Sequence, residues 1–146
     1  TLDRSSAASD VYKRQVHNAV IGLWSILRNE TCEMTALAAA GDGLEHGMLE
    51  AAALLNEGAP AVLLVITEEQ PPAAYADWIH DVPFPYALGL LLTPGDEWQL
   101  ELNSGAVQLT QTQWPHALNL LRTLLTEQAT CQHAWKNRVW NWQRKP

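Results

Sequence analysis

Long apolar runs are missing from this sequence. No stretch approaches the roughly 20 consecutive apolar residues of a membrane span, so no span is expected. Cysteine is nearly missing too. Cys32 and Cys131 are the only two in 146 residues; they lie far apart without the spacing of a metal site, which fits a reduced, cytoplasmic setting. Positive charge is scarce, with 9 Lys and Arg against 16 Asp and Glu, a balance of −7. So acidic a chain is a poor nucleic-acid binder. Neither a Gly-rich phosphate loop nor a G-x-S-x-G elbow occurs, which argues against a nucleotide site and an α/β-hydrolase triad. No cofactor is expected.

What remains is 47% hydrophobic and 17% charged, the composition of one globular domain with a real core. Thr1 to Gln15 stands apart. It is polar and rich in Ser and Ala, and it has neither a helical nor a strand period nor the apolar core of a signal peptide. The run from Ser5 to Gln15 resembles translated adapter readthrough at the edge of an assembled read. Residues 1–15 are therefore expected to be a non-native, disordered leader, with the domain proper over 16–146.

Val16, Ala19, Val20, Leu23, Ile26 and Leu27 recur at helical spacing, with small residues between them suited to close packing. Met34 to Ala40 predicts a short strand, and Gly41-Asp42-Gly43 a sharp turn. Asp42 is placed to cap the next helix with Glu45 as capping-box partner; Leu44, Met48, Ala51, Ala52 and Leu55 give that helix its apolar face. Gly58 closes it. Ala61 to Ile66 is an aliphatic run suited to a strand covered on both faces, so strand, helix and strand predict a right-handed parallel crossover.

A short helix is expected over Ala73 to Ile79 and a loop over Asp81 to Pro85. Tyr86 to Leu92 reads as a strand, and the turn at Pro94-Gly95-Asp96 joins it to alternating Trp98, Leu100 and Leu102 as a hairpin. Pro115 opens an amphipathic helix carrying Ala117, Leu118, Leu121, Leu124 and Leu125. Trp140 and Trp142 alternate with polar residues, as on a short strand.

Val16-His17-Asn18-Ala19, then Gly22-Leu23-Trp24-Ser25-Ile26, then Thr35-Ala36-Leu37-Ala38-Ala39-Ala40-Gly41, resemble ketosynthase-like proteins of the thiolase superfamily. Tyr86 to Leu92 extends the likeness to the subgroup of β-ketoacyl synthase-like N-terminal domains and chain-length factors associated with aryl-polyene-type gene clusters. The resemblance implies an α/β fold: a thiolase-like half-domain with a mostly parallel sheet flanked by helices, plus a C-terminal hairpin and helix. In catalytic relatives the helix after the strand carries an acyl-accepting cysteine in its first turn, where N–H groups and the helix dipole favour a thiolate. Counting back from Gly58, which resembles the glycine ending that helix, puts the nucleophile position at Gly41. His46 matches a histidine often seen five residues on. Gly41 has no side chain, and Asp42 beside it opposes a thiolate, so no catalytic residue is expected.

The resemblance thus implies a non-catalytic, chain-length-factor-like subunit that pairs with a ketosynthase as a heterodimer and works on an acyl carrier protein in fatty-acid- or polyene-type synthesis. His17, Asn18, Gly41, Asp42 and His46 would line its acyl or partner surface. The plainer reading makes His17 and His46 packing histidines and Asn18 a cap. Cys32 lies about 30 Å of extended chain before the helix, and Cys131 with nearby His133 lacks a visible partner. The adjacent pairs Glu45–His46 and His80–Asp81 diverge on a helix, so no metal set is expected. Trp135, Trp140 and Trp142 beside Lys136, Arg138, Arg144 and Lys145 form either a docking rim for an acidic carrier protein or a terminal strand whose tryptophans cover the core and whose charges face water. An acyl-transferring or acyl-hydrolysing enzyme with another nucleophile, and a plain interaction domain, are the alternatives.

Overall fold

The computed structural model describes residues 18–70, 72–75, 82–104 and 114–145. The leader, Val16, His17, most of the expected helix over Ala73 to Ile79, His80 and Asp81 lie outside them. The chain divides into two units, Thr1–Ala38 and Ala39–Pro146.

In the first unit residues 18–28 are helical, α1. Its periodic apolar residues stay exposed: Val20, Leu23, Trp24, Ile26 and Leu27 are each more than half accessible. Asn29 ends the helix with a positive φ of 51°, and the Glu30 N–H returns to the Ser25 carbonyl at 3.0 Å.

The second unit contains α2 (Gly43–Asn56), β1 (Val62–Glu68), a 3₁₀ turn (Ala73–Tyr75), β2 (Tyr86–Leu92), β3 (Trp98–Ser104), α3 (His116–Leu125), β4 (Thr130–Trp135) and β5 (Arg138–Arg144). Helix α2 ends as its sequence predicts. Gly58 takes φ 109°, its N–H reaches the Leu55 carbonyl, and the Ala59 N–H reaches that of Leu54. This paired closure needs a left-handed residue that glycine adopts without strain.

The α/β composition of a thiolase-like half-domain is present, but the sheet directions differ from expectation. Every described pairing is antiparallel: β1 with β2, and a second sheet in the order β3-β5-β4. Residues 33–39 form no ladder, so the parallel crossover onto β1 does not form among the described residues. The expected hairpin of β2 with β3 is also corrected. β2 joins β1 with Leu64 opposite Leu90, while β3 joins β5 with Leu100 opposite Trp142. Residues 93–97 instead carry the chain from one sheet to the other. The C-terminal hairpin is β4–β5, closed by Lys136 and Asn137 with Trp135 opposite Arg138.

Leu44 of α2, Leu120 of α3 and Trp142 of β5 form the centre of the core, and Met48, Leu64, Ile66, Leu90, Trp98, Leu100 and Cys131 pack around them. On α3 the buried face is Ala117, Leu120 and Thr123, one step round from the expected leucine stripe. Among the described residues strand β1 is covered on one face only: α2 packs on it, while Leu63 and Val65 are 61% and 56% exposed, beside Leu91 at 72%.

Candidate functional site

The turn into α2 is closed by the Gly43 N–H on the Ala40 carbonyl at 2.9 Å. Asp42, at the N-cap position, makes no side-chain cap bond, which corrects the expected capping box. Its carboxylate is 1% exposed and turns to β5. Arg138 approaches it with Nη2 on Oδ1 at 2.9 Å and Nε beside Oδ2 at 2.9 Å, and the Trp140 indole N–H donates to Oδ2 at 3.1 Å. His46, four residues on, donates Nδ1–H to the Asp42 carbonyl at 2.8 Å and meets the Trp140 ring edge-to-face at 5.6 Å.

Glu45 is the second buried acid, 0% exposed. Its carboxylate accepts from His116 Nε2, from His133 Nδ1 at 3.3 Å to both oxygens, and from the Trp142 indole at 3.2 Å. The two imidazoles stack at 3.6 Å with 13° between their planes. The N-cap acid Asp42 and Glu45, three residues on at the start of α2, thus meet Trp140 and Trp142, two residues apart on one face of β5. Burial alone would raise the Glu45 pKa, but the donors from His116 and His133 outweigh it and hold the carboxyl at about 2. Burial lowers that of His116. Both describe an ionised carboxylate served by ring N–H groups. A divalent cation could be held here too, since one ligand atom from each of Glu45, His116 and His133 lies within 4.8 Å of the others.

At the position before Asp42 the space is already taken. A Cβ built on Gly41 would stand 2.3, 2.4 and 2.7 Å from three atoms of the Trp135 six-membered ring. The cysteines are remote from activation. Burial raises the Cys131 pKa, and a hydrogen bond to the Glu30 carboxylate raises that of exposed Cys32.

Of the predicted site residues, Gly41, Asp42 and His46 lie together at the start of α2. Asn18 is exposed on α1 in the other unit, and His17 lies outside the described residues. The terminal strand follows the second reading of its tryptophans. Trp140 and Trp142 are each 3% exposed and Arg144 pairs with exposed Glu97 at 2.6 Å, but Arg138, expected to face water, serves buried Asp42 instead. His116, His133 and Arg138 escaped sequence reasoning as partners of the α2 acids. They stand 71, 88 and 96 residues away in sequence, and the only hint was the alternation at Trp140 and Trp142.

The profile of the family described as β-ketoacyl synthase, N-terminal domain, matches residues 12–143. The chain belongs to that family. Among solved structures it is similar to a chain of the ketosynthase ApeO in complex with its chain length factor ApeC from Xenorhabdus doucetiae, with 27% identity and a TM-score of 0.78. The match covers 91% of this chain and 56% of that one, so the chain spans just over half of its relative's length. A comparison with curated proteins finds no match. Among the described residues no helix is long and apolar enough to cross a membrane.

Proposed function

We propose that this chain is a non-catalytic ketosynthase-like subunit, similar to a chain length factor, with residues 16–146 as its ketosynthase-like part. It pairs with an active ketosynthase and helps shape the acyl tunnel while a fatty-acid- or polyene-type chain grows on an acyl carrier protein. One observation carries the reading: at Gly41, the residue that counting from Gly58 assigns to the nucleophile, the Trp135 ring fills the volume any side chain would need. The charges next to it support the same conclusion. Helix N-termini activate thiols by favouring negative charge, yet here Asp42 and Glu45 already hold two carboxylates in that field. A thiol beside them would be pushed towards its protonated form.

The likeness to the ApeO–ApeC complex supports the choice of a ketosynthase as partner. The test is co-expression of the full chain with a ketosynthase of an aryl-polyene-type cluster, followed by an acyl-pantetheine thioester probe. The expected result is a one-to-one complex in which only the ketosynthase is acylated. Acyl transfer to any residue of this chain would refute the non-catalytic role. A ketosynthase that elutes alone, with unchanged product length when this chain is added, would refute the pairing.

A further inference from the structure

We propose that Glu45, His116 and His133 form a binding site for one divalent transition-metal cation of the zinc class, which ties the start of α2 to α3 and β4. Two imidazole nitrogens and one carboxylate oxygen suit zinc, cobalt(II) or nickel(II) far better than calcium or magnesium, which prefer oxygen alone. Three protein ligands with one position left to water is a frequent zinc arrangement.

The ligand atoms are gathered within 4.8 Å of one another, and rotation of the two rings out of their stack would bring their nitrogens onto one cation. Bonds of about 2.0–2.1 Å in a tetrahedron separate neighbouring ligand atoms by roughly 3.3–3.4 Å. His133 Nδ1 already stands 3.3 Å from each Glu45 oxygen. His116 Nε2 contacts Oε1 and must turn away from it to admit a cation. Both ring nitrogens lie within reach of one carboxylate oxygen. Each neutral ring frees the lone pair there by moving its proton to its other nitrogen.

The surroundings favour a fixed site. The Trp142 indole N–H holds Glu45 Oε1 at 3.2 Å, an outer contact that orients a ligating carboxylate, while the two stacked, nearly parallel rings must part for both nitrogens to face one cation. Asp42 is occupied by Arg138 and Trp140 and does not compete. Side-chain exposures of 9% for His116 and 14% for His133 leave each ring an edge towards solvent, by which a cation and its water can arrive.

The test uses the full chain stripped with EDTA. One equivalent of Co²⁺ should bind with the intense visible absorption of a four- or five-coordinate ion, and Zn²⁺ should displace it. At a hundredfold excess over its dissociation constant, Zn²⁺ should raise the melting temperature by several degrees. Glu45→Gln and His133→Phe, the latter keeping a ring in the stack, should each weaken binding by about tenfold or more. A measurement on the unsubstituted chain covers the case in which either variant unfolds: Zn²⁺ should shift the imidazole ¹⁵N resonances of His116 and His133 and leave those of His46 in place. Absence of Co²⁺ uptake, uptake that survives both substitutions, or shifts that fall on other histidines would each overturn the site.

Discussion

Giving Gly41 a side chain tests the occupied nucleophile position directly. In Gly41→Ala the new Cβ lies 2.3–2.7 Å from three carbons of the Trp135 ring, whereas favourable carbon contacts lie at about 3.5–4.0 Å. The obstacle is an indole ring, not the free end of a flexible chain, so the ring or the turn must move by about 1 Å. Overpacking of this kind costs about 1–3 kcal/mol. For a chain of this length that corresponds to a fall in melting temperature of roughly 3–10 °C, measurable by scanning calorimetry. Gly41 has no positive φ, so backbone strain does not contribute. The decisive control is Trp135→Ala. With the ring removed, Gly41→Ala should be neutral, or stabilising by about 0.4–1 kcal/mol through the unfolded chain. The double-mutant cycle should therefore return a coupling of about 1–3 kcal/mol between the two positions. Equal effects of Gly41→Ala in both backgrounds would refute the claim that Trp135 fills the site.

Other substitutions probe the neighbouring contacts. Trp135 Nε1 is buried with no hydrogen-bond partner among the described residues, so Trp135→Phe should be neutral or stabilising by up to about 1 kcal/mol in chemical denaturation, since an unpaired buried donor is costly. Arg138→Met leaves Asp42, 1% exposed, with the Trp140 indole as its remaining side-chain hydrogen-bond donor among the described residues and His46 Nδ1 3.7 Å away, and should cost about 2–3 kcal/mol in the same assay. Lys136→Gly should gain about 0.5–1 kcal/mol, because Lys136 holds φ 56° in the left-handed region that side chains resist. In EDTA, stability should fall as pH drops. The depressed His116 pKa begins the loss below its ordinary value near 6.5, and Glu45, held at about 2, deepens it as pH falls from about 4.5 towards 2. Thermal melts that are flat between pH 7 and 3 would contradict this. Leu63→Thr with Leu91→Thr, on the uncovered face of β1–β2, should change stability by less than about 0.5 kcal/mol each and improve solubility.

Local patterns were legible wherever the physics is local. The apolar period and Gly58 marked α2 and its end, the aliphatic run marked β1, Pro115 marked the start of α3, and the alternation at Trp140 and Trp142 placed both on the buried side of a strand. The family was legible as well, since its small-residue segments lie within this chain. Partner choice was not. Nothing near Tyr86 to Leu92 says whether it pairs with the strand before or after it, because a turn and two apolar runs permit either. Only the fit of both sheets around Leu44, Leu120 and Trp142 decides it. The same holds for Glu45, which a local rule assigned to a capping box. Burying a carboxylate requires donors from whichever segments the fold brings near, and tertiary structure supplied His116, His133 and Trp142. The sequence by itself determined α2, β1, β2, β3, α3 and β5, though not β4, and the missing side chain at Gly41. Tertiary structure alone determined that Trp135 occupies the vacated space and that two distant histidines meet one buried acid.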